Sequence, residues 1–416
     1  MTSRSYASLA LSFMVMLVAV VGVTTARPAS AAPPAAGPCT ITFGAAVSLT
    51  GATAKEGEYV KNGYDLFVED VNKAGGFKVG KTQCKVALKL YDDESNPDTS
   101  AKLIEKLVTD DKVNLLLGPY GTGPVFSSSA IAEKYDVPMV EPGGAGMKIF
   151  TRGFKNIWGT LPGAPSYLKS GIDVILAKDP QIKRVALLVE NDSFSQEVAD
   201  GAAAYAKGKG LEIVYSQQYP KGTKDVSSLL TAAKGANPDI VLGASHLADA
   251  ELIIKQAKDI GLNAKAWAFS VGPATPEFGK ALGKDATYVL GVTPWTPALR
   301  FVGEDIYGTP KKFADAYKAK YGAMPSYHAA SAVATIIAFQ KAIEAAGSVE
   351  PAAVRAQLAK LDVATFYGRL KFAPEGIIVK PMAVVQWFAD GEMYTVFPAD
   401  AAEKALLFPA PPWNAR

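Results

Sequence analysis

From residue 41 onward the hydrophobic pattern switches repeatedly between a period of two and a period of about 3.6, and this alternation constrains the fold more than any other feature of the chain. Residues 41–48 read as a strand, and residues 57–74 place Val60, Tyr64, Phe67, Val68 and Val71 at helical spacing. Strand 86–92, helix 99–110, strand 113–118, helix 124–134 and a short strand 137–140 follow. Parallel neighbours need a crossover, usually helical, so the pattern predicts a parallel sheet with helices on both faces. After a Gly/Pro-rich stretch at 159–165 the alternation begins afresh: helix 167–177, strand 184–190, helix 196–207, strand 212–215, helix 226–234, strand 240–243, helix 248–260 and strand 266–269. The fold class is therefore α/β, with two doubly wound parallel-sheet lobes.

The remaining third starts helical, at 310–321, 327–346 and 351–361, each opened at or near a proline that suits a first turn. Strands 369–372, 384–388 and 393–397 come next, with Asp390-Gly391 as a hairpin turn. Neither lobe is finished by its own segment, so these late elements return to complete both. The expected crossings lie at 159–165, 293–297 and 371–374. They divide the chain into one lobe of 32–160 and 296–370 and another of 161–295 and 371–416.

The first residues read as an export signal. Arg4 begins a basic region, an apolar run covers 7–23, and Ala29-Ser30-Ala31 offers a small-x-small cleavage site. Residues 1–31 are expected to be removed; an uncleaved anchor is the alternative. Ala36 and Pro38 do not fit a lipobox before Cys39. An oxidising compartment changes the reading of the two cysteines. Cys39 and Cys84 each precede a strand-like run, 41–49 and 86–91, whose starts are neighbours if the strands pair in parallel. A disulfide is expected, against the alternative of two buried thiols.

Lys+Arg 43 against Asp+Glu 40 leaves a formal charge of +3, too little to hold a phosphate backbone, so nucleic acid is not an expected partner. Two cysteines and two histidines, His246 and His328, lack metal-ligand spacing, and neither a structural metal nor a cofactor is expected. No Walker Lys-Ser/Thr follows Gly121-Thr122-Gly123-Pro124, no Gly-x-Gly-x-x-Gly opens a helix, and no Gly-x-Ser-x-Gly elbow occurs. Asp92-Asp93-Glu94 reads as a solvated acidic loop leading to the Asn96-Pro97 turn, and His328 as a partly exposed capping residue near a helix start. A secreted hydrolase would need a nucleophile and base, and no pair can be named.

Ligands of open parallel sheets gather at the carboxyl ends of the strands. In the first lobe those loops are Ser48-Leu49-Thr50-Gly51, Tyr120-Gly121-Thr122-Gly123 and Pro142-Gly143-Gly144-Ala145-Gly146. They offer backbone N–H groups beside hydroxyls, a receptor for a carboxylate, although glycine can equally serve only to make tight turns. In the second lobe the corresponding loops carry Asn191-Asp192-Ser193-Phe194, Ser245-His246 and Ser270-Val271. Trp295 and Tyr327 either face the cleft between lobes or pack in the core.

The string from Gly44 to Gly76, with Ser48-Leu49-Thr50-Gly51, Gly57, Asn62-Gly63 and Asp70-Val71-Asn72 before Gly75-Gly76, resembles the start of periplasmic leucine/isoleucine/valine-binding proteins. Tyr91-Asp92-Asp93 with Pro97, Gly118, Pro142-Gly143, the 239–243 strand and 327–347 extend the resemblance through the chain. The resemblance implies a type I solute-binding protein, not an enzyme, that closes two lobes on a small ligand in the periplasm and delivers it to the permease of an ABC importer. A ligand sensor of the same fold is the alternative. It also implies that a ligand carboxylate is held by Thr122, Gly123, Gly144, Ala145 and Gly146, with Phe194 packing on the ligand and Ser245, His246 and Val271 facing it. Ser48, Tyr120, Trp295 and Tyr327 complete the candidate set. Two positions depart from the family: Ala145 stands where a hydroxyl is usual and Val271 where an acid holds the α-ammonium. Either Glu56 substitutes, or the ligand is an aromatic or aliphatic carboxylate without an amino group.

Overall fold

The alternation is realised as two separate sheets in the computed structural model of the chain, which describes residues 39–416; the export signal expected at 1–31 lies outside them. The first sheet takes β1 (Thr40–Val47), β2 (Phe77–Val79), β3 (Thr82–Asp92), β4 (Leu115–Leu117), β5 (Met139–Glu141) and β6 (Ile157–Gly159) in the order β2-β3-β1-β4-β5-β6. All neighbours are parallel except the β2–β3 hairpin. The second sheet takes β7 (Arg184–Glu190), β8 (Glu212–Tyr219), β9 (Ile240–Ala244), β10 (Ala266–Phe269) and β11 (Val289–Thr293) as its parallel part, in the order β11-β10-β9-β7-β8. Counted along the chain, the parallel strands of each sheet run 2-1-3-4-5, so the order reverses beside β1 in one and beside β7 in the other. Those switch points are where a doubly wound sheet leaves a crevice.

The helices follow from their apolar faces. In α1 (Ala54–Lys73) Val60, Tyr64, Phe67 and Val71 are buried, while Lys55, Glu58, Lys61 and Asp65 pair on the outer face. Helix α1 packs on α10 (Tyr327–Ala346), and the axes approach so closely that a side chain on Gly63 would collide with the Ala329 carbonyl. Helix α10 is long and apolar enough to cross a membrane, yet it is mostly buried among the protein's own residues. It packs beside α11 (Pro351–Leu358), and α9 (Pro310–Tyr321) joins α1. The bridge Cys39–Cys84 is formed, its Cα atoms 4.6 Å apart, because the register sets Thr40 against Lys85.

The late strands differ in part from expectation. Strands β14 (Ala383–Trp387) and β15 (Met393–Phe397) join the second sheet antiparallel, with Gly391 at positive φ in their turn. By contrast β13 (Gly368–Lys371) belongs to neither main sheet; it forms a small hairpin with β12 (Asp362–Thr365), which the sequence reading missed. The third crossing lies later than 371–374. Residues 373–376 are a tight turn, in which Ala373 N–H donates to the Ile377 carbonyl, and Ile377 then pairs with Gly159 of the first sheet. The chain reaches the second sheet only between Ile378 and Ala383.

Candidate functional site

Both switch points face one another. Tyr120 lies three residues beyond β4, and His246 caps α7 (Leu247–Ile260) just beyond β9. The Tyr120 hydroxyl and His246 Nδ1 are 3.2 Å apart, joining loops 126 residues distant. Around this pair stand Phe194, at the start of α5 (Ser193–Gly208), Val271 beyond β10, and Tyr327, the first residue of α10. Phe194 lies 5.5 Å from His246 and meets Tyr167 edge-on at 5.2 Å. With Thr122 and Leu161 these side chains enclose a cavity of about 10 Å³. That is room for one water molecule, so a larger ligand enters by parting the walls.

The electrostatics are concentrated behind His246. Asp192 caps α5, accepting from the Ser195 N–H at 2.9 Å, and its Oδ2 lies 3.3 Å from His246 Nε2. The His246 backbone N–H donates to Glu190 at 3.3 Å. Burial lowers the affinity of the His246 ring for a proton, but the hydrogen bond and charge of Asp192, with Glu190 and Glu56 beyond, outweigh it and hold His246 up at about 9. Burial raises Asp192, yet the hydrogen bond and charge of His246 win and hold it well below the usual carboxylate range. Glu190 is pushed up to about 7 by burial, and Glu56 and Asp249 also rise for that reason.

Other candidates belong to the frame. Ser48 is buried and donates to Asp93 Oδ1 at 2.7 Å, so its hydroxyl is occupied. Asp93 is fully buried and also accepts from the Ser95 N–H, while Asp92 accepts from the Leu49 and Thr50 N–H groups. Asp92 and Asp93 thus clamp the segment leading into α1; the expected solvated loop holds for the exposed Glu94 and the half-buried Asp92 but not for Asp93. Trp295 donates from Nε1 to the Phe366 carbonyl at 3.2 Å and packs edge-on against Phe313, inside an aromatic core. Ser245 lies buried beneath the site, its N–H donating to Ser270 Oγ. His328 is fully buried, stacked on Tyr327 at 3.9 Å, and is lowered to about 3 by burial and by His246. Its helix is capped by Ser326 instead.

The glycine loop holds a residue the sequence reading passed over. Glu141 ends β5, and its Oε2 accepts from the Gly143 N–H at 2.7 Å and from the Gly144 N–H at a shorter distance. The Gly146 N–H donates to Thr122 Oγ1 at 3.1 Å, and Ala145 is buried with its carbonyl on the Ala164 N–H. The N–H groups of Gly143, Gly144 and Gly146 are therefore spent within the protein. Thr122 and Gly123 form the first turn of α3 (Thr122–Lys134). Burial pushes Glu141 up to about 8 against the pull of its two N–H donors. An acid closing an otherwise apolar strand was the available signal. Tyr167 was missed because it reads as an ordinary helix residue.

Residues 40–392 match the periplasmic binding protein family. Among curated proteins, the chain is 28% identical over 391 residues to Leu/Ile/Val-binding protein homolog 8 of Brucella abortus, covering 88% of this chain and 93% of that one. It is 27% identical to homolog 7 of Brucella suis, covering 89% and 94%. Among solved structures, the substrate-binding protein of a Streptococcus pneumoniae branched-chain amino acid transporter, in complex with isoleucine, superposes with a TM-score of 0.74 at 22% identity, covering 89% and 100%. An R. palustris ABC-transporter solute-binding protein in complex with benzoate superposes at 0.73 with 17% identity, covering 86% and 96%.

Proposed function

The chain belongs to the periplasmic binding protein family, whose relatives and fold neighbours are solute-binding proteins and not enzymes, and from that premise we propose that it captures a small apolar carboxylate between two closing lobes. The reading rests on the Tyr120–His246 pair, two hydrogen-bonding groups at the centre of a wall otherwise built from Phe194, Tyr167, Tyr327, Leu161 and Val271. Glu141 occupies the Gly143 and Gly144 N–H groups. The ligand's carboxylate accordingly turns to Tyr120, His246 and the first turn of α3 at Thr122 and Gly123, with its apolar body against the rings.

Each lobe contributes part of this wall, so only the closed form makes all the contacts and a ligand shifts the open–closed population. The lobes are residues up to 160 with 296 to about 380, and 161–295 with the remainder. Closure is further tied by Tyr59 donating to Glu277 at 2.6 Å and by the Met147 N–H donating to Glu197 at 2.6 Å. Residues 1–31 would direct export to the periplasm, where the loaded protein docks on an ABC permease in the inner membrane. Permease and ATPase genes beside its own are expected; a receptor gene in their place favours the sensing alternative.

The test is a thermal-shift screen of mature, ligand-stripped protein against branched-chain and aromatic amino acids and against the same acids lacking the amino group. A ligand at 100 times its Kd adds about 2.7 kcal/mol to the folded state. Stabilisation by acids without an amino group follows from Val271. Stabilisation by leucine or valine alone assigns the ammonium to Glu56, and no response to any carboxylate sinks the reading.

A further inference from the structure

Three ligating groups converge beside the cleft, brought together from two loops that the sequence spacing keeps apart. Glu190, Asp192 and His246 each offer a donor atom, and these atoms lie within 4.8 Å of one another. Asp192 Oδ2 and His246 Nε2 stand 3.3 Å apart, the edge of a tetrahedron whose bonds are about 2.0–2.1 Å long. The other ring nitrogen, Nδ1, is held by the Tyr120 hydroxyl at 3.2 Å. That is the outer contact that fixes ring orientation at a metal-bound imidazole.

A second observation points into the same place. The Tyr219 hydroxyl is buried and has no hydrogen-bond partner. Tyr219 is the register partner of Glu190 on the adjoining strand β8, so the two side chains rise from the same level of the sheet, and the carboxylates of Asp249, Glu190 and Asp192 are near enough to act on its hydroxyl. The Ser245 hydroxyl is also buried and without a hydrogen-bond partner, and it lies on the same side, close enough to act on the Tyr219 hydroxyl. A cavity of about 250 Å³ opens onto Glu190, His246 and Asp249 and supplies an entry path. Lys221 lines it as a competing internal cation.

We propose that Glu190, Asp192 and His246 bind a divalent first-row transition cation of the zinc class, with Tyr219 supporting the site. One imidazole with two carboxylates suits such a borderline ion better than calcium or magnesium, which favour all-oxygen shells. The ion would put positive charge behind Tyr120, at the wall where the organic ligand lies. The site does not depend on the identity of that ligand.

The probe is Zn²⁺ alone, added to chelator-treated mature protein with no organic solute, followed by dialysis and elemental analysis. Uptake of about one ion per chain is expected, and Asp192→Asn and Glu190→Gln, each removing a direct ligand, should weaken it by more than the roughly 10–100-fold that loss of an outer partner costs. Co²⁺ added to the wild type should give a visible spectrum distinct from the aqua ion, which tests direct ligation without any variant that could misfold. Failure of the wild type to retain Zn²⁺, uptake unchanged in both variants, or a Co²⁺ spectrum identical to the free ion would each overturn the proposal. A solute screen without response leaves these readings intact, so the two ideas fail separately.

Discussion

Tyr120 and His246 meet across two sheets, hydroxyl to Nδ1 at 3.2 Å, because each stands at the strand-order reversal of its own sheet. The same switch-point geometry that makes a crevice in one doubly wound sheet here makes two facing halves of one site. The consequences can be measured.

Tyr120→Phe removes one hydroxyl and keeps the ring that packs on His328 at 5.0 Å. Affinity for the solute found by screening should fall about 3–10-fold, the worth of about one hydrogen bond. The ligand-free protein should also lose about 1 kcal/mol or more, because His246 Nδ1 is left buried without this partner. Unchanged affinity by calorimetry would take the hydroxyl out of the site.

Phe194→Ala should cost more in binding, at least about tenfold, since an aromatic wall is lost on both the Tyr167 and His246 sides. Titration of the variant with the same solute decides it. A Kd within error of the wild type would mean that Phe194 only packs.

Tyr59 and Glu277 bridge the lobes near the outer edge of the cleft. Tyr59→Phe deletes about 1 kcal/mol of closed-state hydrogen bonding, so the open form should gain by about fivefold. Small-angle scattering of ligand-free protein, or fluorescence transfer between labels on the two lobes, reads this directly. Identical profiles for variant and wild type would show that the contact does not govern closure.

Glu141 is a buried acid held up at about 8, against 4.5 for an ordinary glutamate in water. Between those pH values the unfolded chain has released this proton and the folded chain keeps it, so stability falls as pH rises through that window and levels off above it. Glu141→Gln cannot ionise and should flatten this part of the profile. Urea midpoints from pH 4.5 to 8.5 for both proteins make the comparison; parallel curves would remove Glu141 as the cause.

The Cys39–Cys84 bridge closes a loop with a sequence separation of 45. Reduction should cost about 2–4 kcal/mol, chiefly by freeing the unfolded chain. Dithiothreitol should lower the denaturation midpoint of the wild type and leave a Cys39→Ser/Cys84→Ser double variant unchanged. Equal sensitivity of both would point to another effect of the reductant.

Much of the fold was legible because periodicity is local. The spacing of Val60, Tyr64, Phe67 and Val71 specifies a buried helix face whatever lies opposite, and two runs of alternation specify two parallel sheets. The cysteine pair was legible through the same logic, since parallel pairing of β1 and β3 brings their starts together. The small hairpin of β12 and β13 was not, because its pairing closes within ten residues and serves no repeating pattern.

Candidate residues at strand ends divided according to what each polar group meets. Tyr120, Phe194, His246, Val271 and Tyr327 line one cavity, as their positions at carboxyl ends of strands and starts of helices suggested. Ser48 and Trp295 looked equally suited, yet Asp93 takes the hydroxyl of the first and the Phe366 carbonyl takes the indole N–H of the second. Glu141 turned a glycine loop that reads as an open anion receptor into one whose N–H groups are already bound.

By itself, then, the sequence determined the lobes, the helices between their strands and the edge on which a ligand site could lie, because those follow from short-range pattern and chain connectivity. Only the tertiary structure decided which polar groups are free to meet a ligand and which are spent inside. That depends on partners tens of residues away, and a buried donor or acceptor takes whichever partner the packing sets beside it.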